Sequence, residues 1–344
     1  MADIHCLLEL ELCSPWFDAS APRLGTQATA EELPVPAASP DTGPPQLLLL
    51  LAPPRSGSHH LSRLLWLHGY GRPLEYLNPH LRQPLARFSP GWPHLPRGIQ
   101  GLSRGLRRRL APERRPWAWW QRLVAERSTL SRHSGHPFFA IKLQRGQAGT
   151  DATALHRTFA PLAQRGLWPS FDSTPPAVIG LFRRDWQRAV VSHHLSLCSG
   201  AFDQGRIVSF QHRPITGLGH PEALAEDLAA YRLQLEWLLA CVEQSGFPTR
   251  VIAHEALVRD QETVLAALIR AIDPQAPSEG ALRSHGSLSL RIARERSAWV
   301  GERETWLNHL QQEFLGAGLD RHPDAREAQA LVERLEERAR LSSR

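Results

Sequence analysis

Lysine is almost missing from this sequence. Of its 40 lysine and arginine residues, Lys142 is the single lysine and the other 39 are arginines. A skew of that size is what a genomic bias leaves when arginine replaces lysine wherever either cation serves. A position that stays lysine is then a candidate for needing a compact ammonium rather than a planar guanidinium fork; the alternative is a chance survivor. Cysteine is sparse as well. Cys6, Cys13, Cys198 and Cys241 are scattered, with no CxxC and no Cys/His group at metal-ligand spacing. That offers no disulfide framework and suits a reducing compartment. Long apolar runs are lacking too: the longest, Leu47 to Pro54, is far too short to span a bilayer. The Leu-rich start carries Glu9 and Glu11 and has no basic leader, unlike a secretory signal. The expectation is a soluble, cytoplasmic protein with no membrane span.

What is present is ordinary in bulk. The 344 residues suffice for one large α/β domain or two small ones, and 42% hydrophobic with 22% charged residues is a globular composition. A net charge of +6 suits an anionic ligand, nucleic acid or an acidic membrane surface, and does not choose among them.

Residues 1–45 read as a poorly structured lead-in, closing on a linker that holds Pro34, Pro36, Pro40, Pro44 and Pro45. The main domain is expected over 46–320, followed by a charged helical tail over 321–344. The domain opens on Leu47 to Leu51, a short apolar run of the kind a buried parallel strand needs. Pro-Pro-Arg-Ser-Gly-Ser follows, and then a helical pattern through Leu61, Leu64 and Leu65 that stops at Gly69. Further buried strands are expected over 138–143 and 177–182, and a weaker one over 250–253. Helical patterns run over 186–198, 221–245 and 261–272. Strands alternating with helices predict an α/β fold whose parallel sheet is flanked by helices, as in P-loop NTPases. Residues 80–135, with Arg107, Arg108, Arg109 and Trp92, Trp117, Trp119 and Trp120, fit this scheme poorly. They are either a helical excursion shaping an acceptor pocket, with tryptophans stacked on sugar faces, or a solvated basic insertion over core aromatics.

Arg55, Ser56, Gly57 and Ser58 lie between the first strand and the first helix. A loop there turns backbone N–H groups and a helix N-terminus toward an anion, serine hydroxyls add donors, Gly57 permits close approach and Arg55 adds a cation. The bland reading is an ordinary Ser/Gly turn. No GxxxxGK[ST] is present, which counts against a conventional ATPase or kinase.

From this loop onward the chain resembles the Stf0-type sulfotransferase family. The resemblance rests on PPRSGSHHLSRLLWLHGYGRPLEYLNP at 53–79, FFAIKLQRGQ at 138–147 and VIGLFRRDWQRAVVSHHLSLCSGAF at 178–202, in that order, with a weaker VIAHEALVRD at 251–260. By pattern it covers roughly residues 47 to 310. It implies the sulfotransferase fold and the donor 3'-phosphoadenosine 5'-phosphosulfate (PAPS), with adenosine 3',5'-bisphosphate (PAP) as product. The acceptor it implies is a hydroxyl of a carbohydrate or glycolipid.

In that family's chemistry Arg55, Ser56, Gly57, Ser58 and His59 would hold the 5'-phosphosulfate. Arg184, just after a strand, and Ser192, eight residues later, would hold the 3'-phosphate. Arg183 either shares this task or pairs with Asp185 or Asp203. Lys142 would stabilise the departing phosphate. Gln144 stands where many sulfotransferases have a catalytic histidine, and an amide takes no proton at neutral pH. The resemblance gives the base role to Glu75, since a carboxylate in a closed pocket is basic enough for it; the alternative is a structural Glu75 bonded to Arg72 or a backbone amide. The departures are His59, where the family has threonine, and His254, where it has tyrosine in a turn with no assignable contact. Tandem His59-His60 and His193-His194 point apart on a helix, so no metal is expected. Dimers in the family imply a homodimer.

Two other readings stay open. One is a catalytically degenerate nucleotide-binding protein on the same fold. The other is a nucleic-acid-binding module using Arg107 to Arg109 and the tryptophans, though no nucleic-acid partner is the expectation.

Overall fold

The computed structural model describes residues 43–77, 117–199, 201–203, 206–207, 220–276 and 299–342. The lead-in up to residue 42, Cys6, Cys13, Trp92 and Arg107 to Arg109 lie outside them, as does the side chain of Trp119.

The protein is α/β, with a five-stranded, mostly parallel sheet flanked by helices. Its strands are β1 (Gln46–Leu51), β2 (Thr129–Leu130), β3 (Pro137–Leu143), β4 (Ala177–Phe182) and β7 (Thr249–Ala253), in the order β2-β3-β1-β4-β7. Only the short β2 is shown running antiparallel, with Thr129 opposite Phe138. A separate two-stranded sheet pairs β5 (Ala201–Asp203) with β6 (Arg206–Ile207). The apolar runs expected to be strands are β1, β3, β4 and β7 to within a residue. Every residue of β3 and β4 is buried, which is why these segments carry no polar alternation.

The described residues fall into two compact units. The first comprises the described part of Met1–Leu50 with His59–Val178 and Ser245–Pro248. Its core gathers Phe139, Phe159 and Trp168 with Trp120, which meets Phe159 and Trp168 edge-on at 6.4 and 6.2 Å between ring centres. Trp120 lies on helix α2 (Trp117–Arg127), inside the segment whose tryptophans were candidates for sugar stacking. It is a core residue, 1% exposed. Trp117 lies under the Arg165 guanidinium, 4.3 Å from its ring centre.

The second unit comprises Leu51–Ser58, Ile179–Gln244 and Thr249–Arg344 in their described parts. It holds α4 (Trp186–Ser199), α5 (Pro221–Gln244), α6 (His254–Arg259), α7 (Gln261–Ile272), α8 (Trp299–Gly316) and α9 (Pro323–Ser342). Helix α9, within the segment expected as a charged tail, buries Ala325, Ala328, Val332 and Leu335 and packs on α5 and β7 within this unit. Between α1 (Ser58–Leu67) and α4 the chain also forms α3 (Thr153–Gln164). Among the described residues no helix is long and apolar enough to cross a membrane.

Candidate functional site

In the second unit the loop after β1 is held from three sides. Ser56 is fully buried and spends its hydroxyl locally, donating to the Pro53 carbonyl at 2.8 Å. Arg55 takes a left-handed backbone, φ 62°, unusual for a residue with a side chain. Its Nε donates to Ser192 Oγ at 3.0 Å, and its carbonyl accepts from Arg183 Nη1 at 3.5 Å. Gly57 has φ 84°, and a Cβ there would sit 2.1 Å from His254 Nδ1. Glycine is therefore required twice over, by the backbone angle and by the imidazole on its face. His254, which had no assignable contact in the sequence, is the residue packed on the loop glycine. Ser58 starts α1 and is buried, and His59 on its first turn is exposed.

Glu255, the next residue after His254, braces the second motif. Its two carboxylate oxygens accept from the backbone N–H groups of Arg184 and Asp185, at 3.0 and 3.2 Å, and Oε1 lies 3.9 Å from Arg183 Nε. The turn at the end of β7 thus fixes both the loop after β1 and the chain leaving β4. The sequence signalled this only as the weakest of the four family-like blocks.

Arg184 and Ser192, expected to act together, have these neighbours: Ser192 accepts from Arg55, whereas Arg184 Nε lies 2.8 Å from Glu336 Oε1 on α9. The Arg184 side chain is 42% exposed. Arg183 contacts Glu255 and the Arg55 carbonyl; the side chain of Asp203, one of its expected partners, lies outside the described residues.

The first unit carries Glu75 and Lys142. Gly71 has φ 79°, and a Cβ there would come 2.5 Å from the Ala140 nitrogen, so glycine lets the chain run hard against β3. Leu74 then forms a parallel bridge with Ile141 and accepts the Lys142 N–H at 3.0 Å. The following residue, Glu75, meets the Lys142 side chain, with Nζ 2.9 Å from Oε1. Two amides add to this. Gln144 Nε2 donates to Oε1 at 3.3 Å and Gln147 Nε2 to Oε2 at 2.9 Å, while the Gln147 oxygen accepts the Gln144 N–H at 3.1 Å. Arg72, the partner considered for Glu75, instead lies over the Trp66 ring, 4.8 Å from its centre. Lys142 is 1% exposed, and an ammonium so buried needs an anion beside it. Gln147 was not singled out in the sequence, although it ends the quoted block FFAIKLQRGQ.

A further charged group lies within the second unit. His194, fully buried on α4, bonds Asp227 Oδ2 on α5 through Nδ1 at 2.7 Å, and its Nε2 lies 3.6 Å from Cys198 Sγ. Burial alone pushes the imidazole down, but the bonds to Asp227 and Cys198 outweigh it and raise its pKa to about 9. His194 is thus a core residue. Among the described residues no group of three or more His, Cys, Asp or Glu side chains is placed to hold a metal ion.

No family model, curated protein or solved structure matches this chain.

Proposed function

We propose that this protein is a PAPS-dependent sulfotransferase acting on a hydroxyl of a carbohydrate or glycolipid, on a P-loop-like sulfotransferase fold. The loop from Arg55 to His59 holds the 5'-phosphosulfate, and Arg184 with Ser192 takes the 3'-phosphate. In transfer, the acceptor oxygen bonds to sulfur as the bond between sulfur and the 5'-phosphate oxygen breaks. By the family resemblance, the acceptor proton would pass to Glu75 and Lys142 would offset the charge developing on the departing phosphate; PAP and the sulfated acceptor are the products.

The observation that carries this reading is the bond from Arg55 to Ser192. The two residues come from separate sequence motifs assigned to opposite phosphates of one nucleotide, 137 residues apart, and their side chains meet at 3.0 Å. Calorimetric titration with PAP, AMP and ADP tests it. A clear preference for PAP is expected, largely lost in Arg184→Ala; equal binding of the three nucleotides would remove the two-phosphate assignment.

A further inference from the structure

The guanidinium assigned to the 3'-phosphate has a carboxylate on it. Arg184 Nε lies 2.8 Å from Glu336 Oε1, and the other Glu336 oxygen lies 3.4 Å from Arg340 Nη2, one turn further along α9. Glu336 therefore sits between two arginines. A carboxylate and a phosphate ask the same of a guanidinium, since each accepts its parallel N–H bonds. Glu336 takes the Nε–H of Arg184, so a phosphate bound along that edge of the guanidinium competes with it.

We propose that Glu336 is a specificity-determining residue of the nucleotide site, competing with the 3'-phosphate for Arg184 and lowering affinity for 3'-phosphorylated nucleotides. The proposal rests on the assignment of Arg184 to that phosphate. Three observations shape it. The Arg184–Glu336 pair is partly open to water, at 42% and 23% exposure, and such pairs are weak enough for a dianion to break. Arg340 gives the displaced carboxylate a cation to stay with. The helix α9 does not depend on the pair, because it is tied down along its length. Arg232 Nε bonds Asp324 at 2.7 Å, Trp186 Nε1 donates to Gln329 at 2.9 Å, and Glu243 takes both Arg334 and Arg338, at 2.8 and 3.0 Å. The exchange of Glu336 for phosphate is thus a side-chain event on a helix that stays docked.

The test is calorimetric binding of PAP and of AMP to the full chain, to Glu336→Gln and to Glu333→Gln. Glu333 lies on the same helix and bonds Gln329, so its variant makes the same change in net charge while leaving the Arg184–Glu336 ion pair in place. Glu336→Gln is expected to bind PAP roughly five-fold more tightly, the scale of an exposed ion pair, with AMP unchanged. Glu333→Gln is expected to match the unaltered protein. Unaltered PAP affinity in Glu336→Gln, in a protein that still prefers PAP to AMP, overturns the competition and leaves the nucleotide assignment standing. An equal gain in Glu333→Gln reduces the effect to overall charge and also overturns it. No preference for PAP in the unaltered protein overturns the nucleotide assignment, and the competition with it.

Discussion

A lysine side chain that is 1% exposed needs an anion, and Glu75 at 2.9 Å supplies it. The same burial gives a physical reason why this position kept its lysine. An ammonium brings three donors into the interior and a guanidinium five, each of which needs an acceptor there. Replacing Glu75 alone strands the charge, so Glu75→Gln is expected to lower the free energy of unfolding by about 3–5 kcal/mol, with Lys142→Met in the same chain recovering most of it. Urea unfolding of the two single variants and the double variant measures this; a Glu75→Gln loss under about 1 kcal/mol would mean the pair is effectively solvated. The loop glycine makes an equally local demand. Gly57→Ala places a methyl 2.1 Å from the His254 ring nitrogen at a backbone angle of 84°. It is expected to cost about 1–3 kcal/mol and to weaken PAP binding. His254→Ala in the same chain is expected to relieve the contact but not the backbone angle, so only part of the loss returns. Full recovery would show that the angle costs nothing.

Between elements, the buried tie from α4 to α5 makes stability depend on pH. The folded His194 has a pKa of about 9, above its ordinary value of 6.5, because its bonds to Asp227 and Cys198 outweigh the burial that opposes them. A raised pKa means that the folded protein holds the proton more tightly than the unfolded chain. The added stability is therefore fully present below pH 6.5 and is lost as pH rises through 9, on the order of 3 kcal/mol in all. Urea midpoints at pH 6 and pH 9.5 should differ accordingly, and Asp227→Asn should flatten the dependence; an Asp227→Asn protein with the same slope would place the effect elsewhere. This tie also marks where sequence reading stops. The strands β1, β3, β4 and β7 and the helices α1, α4, α5 and α7 were legible because each announces itself within a dozen residues, through apolar runs, helical spacing and Gly or Pro boundaries. The partners were not. Asp227 is 33 residues from His194, and Glu75 is 67 residues from Lys142 and 72 from Gln147 in the chain. Glu336 is an unremarkable glutamate in a charged helix until the fold brings it to Arg184. Local pattern names the candidates, and only topology decides which carboxylate meets which cation.

Across the whole molecule, the excess of arginine leaves two kinds of anionic partner to separate. The alternative of nucleic acid draws on the net charge of +6 and the Arg107 to Arg109 cluster, whereas the nucleotide reading draws on a few cations fixed by Ser192 and Glu255. Salt distinguishes them. A surface that binds nucleic acid by neutralising 6–10 phosphates loses roughly 10³–10⁵ in affinity between 50 and 200 mM salt, because each contact releases condensed counterions. A mononucleotide carries no such atmosphere, and its phosphates would be met by a loop whose Ser56 is fully buried and whose Arg55 is already held by Ser192. PAP affinity is therefore expected to fall by less than about ten-fold over the same range, since only screened surface charge responds. PAP at about 100 times its Kd should also stabilise the fold by about 2.7 kcal/mol, visible as a rise in Tm that AMP at the same concentration does not match. If a single-stranded oligonucleotide instead gives the larger Tm rise at 50 mM salt and loses it by 200 mM, the basic surface rather than the loop after β1 is the binding site, and the sulfotransferase reading falls.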